Sequence, residues 1–255
     1  MNAAFRNRLL AGEVLLGTLV SLPSAELVEI LANLDYDWLF LDAEHGTFGH
    51  QDYLNLLQGA GRRTPCLIRV LAADETSIKR ALDAGAAGII VPQVNSKEIA
   101  EQVVNFARYS PTGRRGVGIS RAHLYGLEFQ DYIASANDAV TVVVQAEHIH
   151  AVDQIADIVS VKGIDGVMIG PYDLSASMNL MGQIEHPRVV EALGKVRETC
   201  QRAGMPLGIF GLSAQAVRPY IEQGYTLITA GTDTVLFASA AQELLRELRD
   251  VSPEP

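Results

Sequence analysis

Two acids, Glu147 and Asp173, each stand just past a short apolar run rich in β-branched residues. Thr141-Val142-Val143-Val144 leads into Gln145-Ala146-Glu147, and Gly166-Val167-Met168-Ile169 leads through Gly170-Pro171-Tyr172 into Asp173. Runs of this length, bounded by Gly or polar residues, read as buried parallel strands. Each delivers a carboxylate past its C-terminal end, and the interval between them has the length of one strand, helix, strand unit. Two carboxylates converging there can hold a divalent cation through oxygen and leave positions for water and substrate, as suits Mg²⁺ or Mn²⁺ and is tolerable for Co²⁺. The same spacing also accommodates a pair of helix N-cap carboxylates.

Two further residues fit such a site. His45 lies in the polar turn Ala43-Glu44-His45-Gly46 after the run Trp38-Leu39-Phe40-Leu41-Asp42, and Arg69 lies near the exit of the run Pro65 to Val70. A 2-keto acid chelated through its carboxylate and keto oxygens would have its carbonyl polarised by the metal, with a rim arginine holding the developing charge. A histidine on the next loop is suited to moving a proton. A lone arginine late in a strand also serves as an ordinary ion-pair partner, and Asp83 in Leu82-Asp83-Ala84-Gly85 reads equally as a helix-end carboxylate. His148 and His150 begin the next helix and point outward along it. Gly113 to Gly118 resembles a phosphate-cradling turn without a following helix N-terminus, and Arg121, His123 and Tyr125 suggest part of a lid.

The elements that position these residues follow a regular rhythm. A first amphipathic segment (Asn2 to Ala11) precedes an apolar run Val14 to Val20, and Ser24 can cap the helix that carries Leu27, Ile30 and Leu31. Further strands are expected over Trp38 to Asp42, Pro65 to Val70, Gly88 to Val91, Thr141 to Ala146, Gly166 to Ile169, Pro206 to Ile209 and Tyr225 to Thr229, with a helix after each. The final helix runs from about Val235 to Leu248. About eight such units in this length predict an α/β fold, a single (β/α)8 TIM barrel domain spanning 1–255, with a doubly wound sheet as the alternative. The barrel is preferred because no Gly-rich dinucleotide loop follows the first strand and because polar residues cluster after many strands. One interruption, from Arg108 to Asn137, is long enough that it is expected to cover a site.

Composition narrows the partners. The chain has 255 residues, 48% hydrophobic and 20% charged, with no linker or low-complexity tract, which favours one domain. Thirty acidic against 20 basic residues give a formal charge of −10 with no basic block, so neither nucleic acid nor an anionic membrane is an expected partner. Cys66 and Cys200 are in no metal-ligand spacing and read as core thiols of an intracellular protein. No apolar signal core or membrane-length run is present, so a cytoplasmic location is expected. The four lysines, Lys79, Lys97, Lys162 and Lys195, all read as helix or loop positions, which argues against Schiff-base chemistry inside a barrel.

With these residues in view, nearly the whole chain resembles the HpcH/HpaI aldolase family, the class II pyruvate-dependent aldolases. The resemblance is carried by Leu41-Asp42-Ala43-Glu44-His45-Gly46, Ile68-Arg69-Val70, Leu82-Asp83-Ala84-Gly85-Ala86, Val144-Gln145-Ala146-Glu147 and Ile169-Gly170-Pro171-Tyr172-Asp173-Leu174-Ser175. It implies His45 as base, Arg69 as stabiliser of a pyruvate enolate, Asp83 as the group that raises the basicity of His45, and Glu147 with Asp173 as ligands of Mg²⁺, Mn²⁺ or Co²⁺. Gln145, Tyr172, Asp173, Ser175 and Leu212 would contact the small-molecule substrate. It further implies a homo-hexamer, a trimer of dimers, whose last helix packs on a neighbouring subunit. The implied activity is reversible cleavage of 4-hydroxy-2-oxo acids to pyruvate and an aldehyde. Alternatives are an acyl-CoA carbon–carbon lyase of the malyl-CoA type, which would need a basic groove beyond Arg114-Arg115, and a catalytically silent metabolite-binding barrel. The stretch Ile119 to Gly126 departs from the form found in dicarboxylate-cleaving members, which leaves the aldehyde half open.

Overall fold

A computed structural model describes residues 2–250; Met1 and residues 251–255, the ends of the expected 1–255 domain, lie outside the described residues. Eight parallel strands close into a barrel in sequence order: β1 (Leu15–Val20), β2 (Trp38–Asp42), β3 (Cys66–Arg69), β4 (Gly88–Val91), β5 (Thr141–Ala146), β6 (Gly166–Ile169), β7 (Leu207–Gly211) and β8 (Leu227–Thr232). Pairing of β1 with β8 completes the ring, so no strand edge is left open. The expected (β/α)8 barrel is the observed fold, and the doubly wound alternative is excluded.

Alternation along the strands sorts the apolar residues into two separate cores. Leu15, Leu19, Trp38, Phe40, Leu67, Ile90, Val143, Met168 and Leu227 fill the barrel interior, whose lower end is plugged by Phe5 and Leu9 of the helix Asn2–Leu10. Their neighbours Leu39, Leu41, Ile68, Ile89, Val91, Val142, Val144, Val167, Ile169 and Ile209 point outward onto the helices. Gly17 makes room for the largest interior side chain, since a Cβ there would stand 2.6 Å from Trp38 Nε1. The same parity carried to the strand ends makes Asp42, Arg69 and Gln145 inward-facing, at the upper rim of the filled interior. Barrel topology, not loop chemistry, therefore sets where these side chains point.

The interruption between β4 and β5 is more ordered than expected. After the helix Lys97–Ala107 it contains a short 3-10 turn (Arg121–Gly126) and an unforeseen helix, Phe129–Ala139. It connects a helix end to a strand start and so lies at the N-terminal end of the barrel, opposite the rim. Arg121 donates to the carbonyls of Ala84 and Leu57, and His123 is fully buried, so within one chain this segment is neither a lid over the rim nor a phosphate cradle there. Arg108 is buried beside it, donating to Val140 O, Gly163 O and Asp165, and Asp165 also pairs with Arg6 of the first helix at 2.7 Å. Cys66 and Cys200 are buried, and burial pushes both thiols up to about 12. Among the described residues no helix is long and apolar enough to cross a membrane.

Candidate active site

The turn after β2 is built on one carboxylate. Asp42 accepts the backbone N–H groups of Glu44 (3.2 Å) and His45 (3.3 Å), and its carbonyl accepts that of Gly46 (3.0 Å). A Cβ on Gly46 would collide with the Asp42 carbonyl, so the tight turn requires glycine. The turn leaves His45 projecting into solvent, its side chain 71% exposed, with Nε2 3.8 Å from Glu44.

Asp42 also holds the guanidinium of Arg69 in a bidentate pair, Nε to Oδ1 at 2.8 Å and Nη2 to Oδ2 at 2.7 Å. The remaining nitrogen, Nη1, faces Glu44 at 3.2 Å and Gln145 Oε1 at 3.5 Å. A planar fork fixed at two corners leaves one edge to meet a ligand oxygen.

Glu147 is the most constrained acid at the rim. Gln145 Nε2 donates to its Oε2 at 2.7 Å, while both the backbone N–H (2.8 Å) and the side-chain amide (3.0 Å) of Gln93 donate to its Oε1. Burial pushes the Glu147 carboxyl up to about 7; Glu44 and Asp173 add to the rise, and the Gln93 hydrogen bond and Arg69 oppose it. Burial likewise raises Glu44. Asp173 sits in the first turn of the short helix Pro171–Ser177, so it meets Glu147 across Gly170. A Cβ on Gly170 would lie 3.2 Å from Glu147 Oε2 and 3.6 Å from Asp173 Oδ2, and the bare glycine keeps the space between the two carboxylates clear.

The family model of the HpcH/HpaI aldolase/citrate lyase proteins matches residues 16–240. The chain belongs to that family. It is 38% identical to a 4-hydroxy-2-oxo-heptane-1,7-dioate aldolase of Klebsiella pneumoniae over 96% of this chain and 93% of the relative. It is 36% identical to a 2-keto-3-deoxy-L-rhamnonate aldolase of Escherichia coli K12, over 94% and 91% of the two chains. A crystal structure of an HpcH/HpaI aldolase/citrate lyase family protein from Burkholderia cenocepacia superposes with a TM-score of 0.93 at 36% identity, covering 97% of this chain and 99% of the other. As an HpcH/HpaI protein the chain is a carbon–carbon lyase.

A divalent cation fits this member of the family. Asp42 neutralises Arg69, so Glu44, Glu147 and Asp173 remain as surplus negative charge around the Gly170 gap. Among the described residues no group of three or more His, Cys, Asp or Glu side chains forms a closed metal cage. A two-carboxylate donor set is the open kind, suited to hard cations that keep water or bind substrate. No strand contains a lysine, in keeping with the expected absence of a Schiff-base amine inside the barrel.

The barrel brings together His45, Arg69, Gln145, Glu147 and Asp173 of the residues read from sequence. Asp83 is not among them. It ends the helix Glu75–Asp83, at the opposite end of the barrel from the rim, and pairs with Arg115 at 2.7 Å, so within one chain it does not support His45. Ser175 is buried, donating to Tyr172 O (2.7 Å) and accepting from Gly182 N (3.0 Å), which gives its hydroxyl a task in the backbone of this loop. Tyr172 and Leu212 stand exposed on the connections after β6 and β7. His148 turns away, its Nδ1 accepting from His150 N. Three residues that sequence reasoning did not single out complete the site: Asp42, Glu44 and Gln93. The strand alternation that placed Arg69 points equally to Asp42, whereas Gln93 acts from a left-handed backbone conformation that no spacing reveals.

Proposed function

We propose that this chain cleaves 4-hydroxy-2-oxo acids to pyruvate and an aldehyde, reversibly, with a divalent cation held by Glu147 and Asp173. The observation that carries the reading is the convergence of these two carboxylates on the Gly170 gap beside the one arginine at the rim. Both aldolase relatives are named for acids of this class, which supports it further. When bound, Mg²⁺, Mn²⁺ or Co²⁺ would supply Lewis acidity toward the 2-oxo group. Arg69, aimed by Asp42, would hold the negative charge that grows on the 2-oxo oxygen. His45 would accept the 4-hydroxyl proton; the C3–C4 bond then breaks, its electron pair passing into the pyruvate enolate, and C4 leaves as the aldehyde. Protonation at C3 completes pyruvate. We further read the exposed last helix as covered by a second copy in a homo-hexamer, and the site of action as cytoplasmic.

The test is pyruvate turnover with a panel of aldehydes. Chelation should abolish activity and addition of Mg²⁺, Mn²⁺ or Co²⁺ should restore it, while borohydride in the presence of pyruvate should leave the protein mass unchanged. A stable borohydride-reduced pyruvate adduct would overturn the reading in favour of amine chemistry.

A further inference from the structure

The connections that run from a strand end to the next helix form the mouth through which substrate reaches the rim. In this chain they carry no lysine or arginine: Ser21 to Ser24, Ala43 to Gly49, Val70 to Asp74, Pro92 to Ser96, Glu147-His148, Gly170 and Met178 to His186, and Leu212-Ser213 contain none, nor does the helix Pro171–Ser177. The single cation at the end of a strand, Arg69, is already engaged by Asp42 and faces Glu44. Acids on the same connections include Glu44, Glu147, Asp173 and Glu185. The two carboxylates assigned to the metal are satisfied by it, but Glu44 is left facing the cavity beside Arg69.

In place of cations the mouth carries apolar side chains. Leu71 after β3 is 62% exposed, Leu212 after β7 57% and Tyr172 after β6 65%, with Leu22 after β1 partly exposed as well. The pyruvate half of a substrate has partners here, and the other half meets apolar groups and negative charge. A second carboxylate in that half would lose water without gaining a pair and would approach Glu44.

We infer that the aldehyde half of the physiological substrate is uncharged, an aliphatic or hydroxylated aldehyde and not a carboxylate-bearing semialdehyde. The inference rests on the proposed aldolase reading and narrows it. Discrimination comes from the missing partner and the standing like charge, a penalty that a neutral analogue of the same length escapes.

A matched pair tests this: succinic semialdehyde against its methyl ester, each added to pyruvate by the Mg²⁺-loaded full chain, with exchange of the pyruvate methyl protons followed in the same preparation. The ester should be used with a kcat/KM about tenfold or more above that of the free acid, as expected for burying an unpaired like charge. Leu212→Lys, which places a cation in the mouth, should narrow or reverse the preference. Proton exchange together with equal or better use of succinic semialdehyde would overturn the inference and leave the aldolase reading standing. Failure of proton exchange and of addition to every aldehyde would overturn both.

Discussion

Gln93 stands in a left-handed backbone conformation, φ 55°, that a non-glycine side chain adopts at a cost. The conformation turns its backbone N–H and its side-chain amide onto one oxygen of Glu147. Since a carboxylate only accepts, the amide must present nitrogen to Glu147, and its oxygen then faces Asn95 Nδ2 at 3.3 Å. Glu147 is thereby held at one oxygen by Gln93 and at the other by Gln145. Gln93→Met removes the side-chain donor at similar volume and should weaken Mn²⁺ binding roughly 10- to 100-fold, the usual cost of losing a group that orients a ligand. Titration of Mn²⁺ followed by its electron spin resonance signal reads this directly, and unchanged affinity would show that the backbone N–H suffices. The site was legible at this scale where a side chain follows a short apolar run, as with Glu147, Asp173, His45 and Arg69. It was not legible where the determinant is a backbone angle, or where a residue's place along a helix sets its end of the barrel: Asp83 is an acid at a helix end, and helix ends lie opposite the rim.

At the scale of elements, strand positions were legible because each apolar run is short, β-branched and bounded by turn residues. The helices Pro171–Ser177 and Phe129–Ala139 were missed for opposite reasons. The first grows directly out of the β6 run, with Pro171 at its start, so no polar break marks it. The second buries only Ala136, so it lacks the apolar stripe that announces a helix. The turn Ala43 to Gly46 shows what an element contributes to chemistry. Asp42 pins two of its N–H groups and also aims Arg69, so the proposed base and the oxyanion partner share one anchor. Cleavage of a 4-hydroxy-2-oxo acid needs a proton removed from the 4-hydroxyl, whereas decarboxylation of oxaloacetate passes through the same enolate with no such proton. His45→Ala should therefore lower cleavage by about 10² to 10⁴ and decarboxylation much less. Equal loss of both activities, with metal affinity intact, would make His45 part of the enolate-holding machinery instead of the base.

The whole barrel closes its own core, yet its last helix, Asp233–Asp250, is left standing on the surface. Its buried anchor is Asp233, whose carboxylate accepts from Ser21 N, Ser21 Oγ, Leu22 N and Thr234 N, tying the helix start to the loop after β1. Beyond that anchor Val235, Leu236, Phe237, Leu244, Leu245 and Leu248 are all exposed, Phe237 by 72%. A contiguous stripe of this size on a helix exceeds what scattered surface apolar residues explain and marks an interaction face. With a formal charge of −10, copies of the chain repel at long range, so association must come from burying this stripe and should survive high salt. A face used reciprocally by two copies gives a two-fold pair, the element from which a trimer of dimers is assembled. Light scattering after size exclusion should report a multimer whose mass is unchanged by salt. Phe237→Lys together with Leu244→Lys should shift it toward smaller species without unfolding the barrel, because neither side chain belongs to either core. A monomer in the unaltered protein, or an assembly indifferent to both substitutions, would mean that the helix is covered by something other than a second copy.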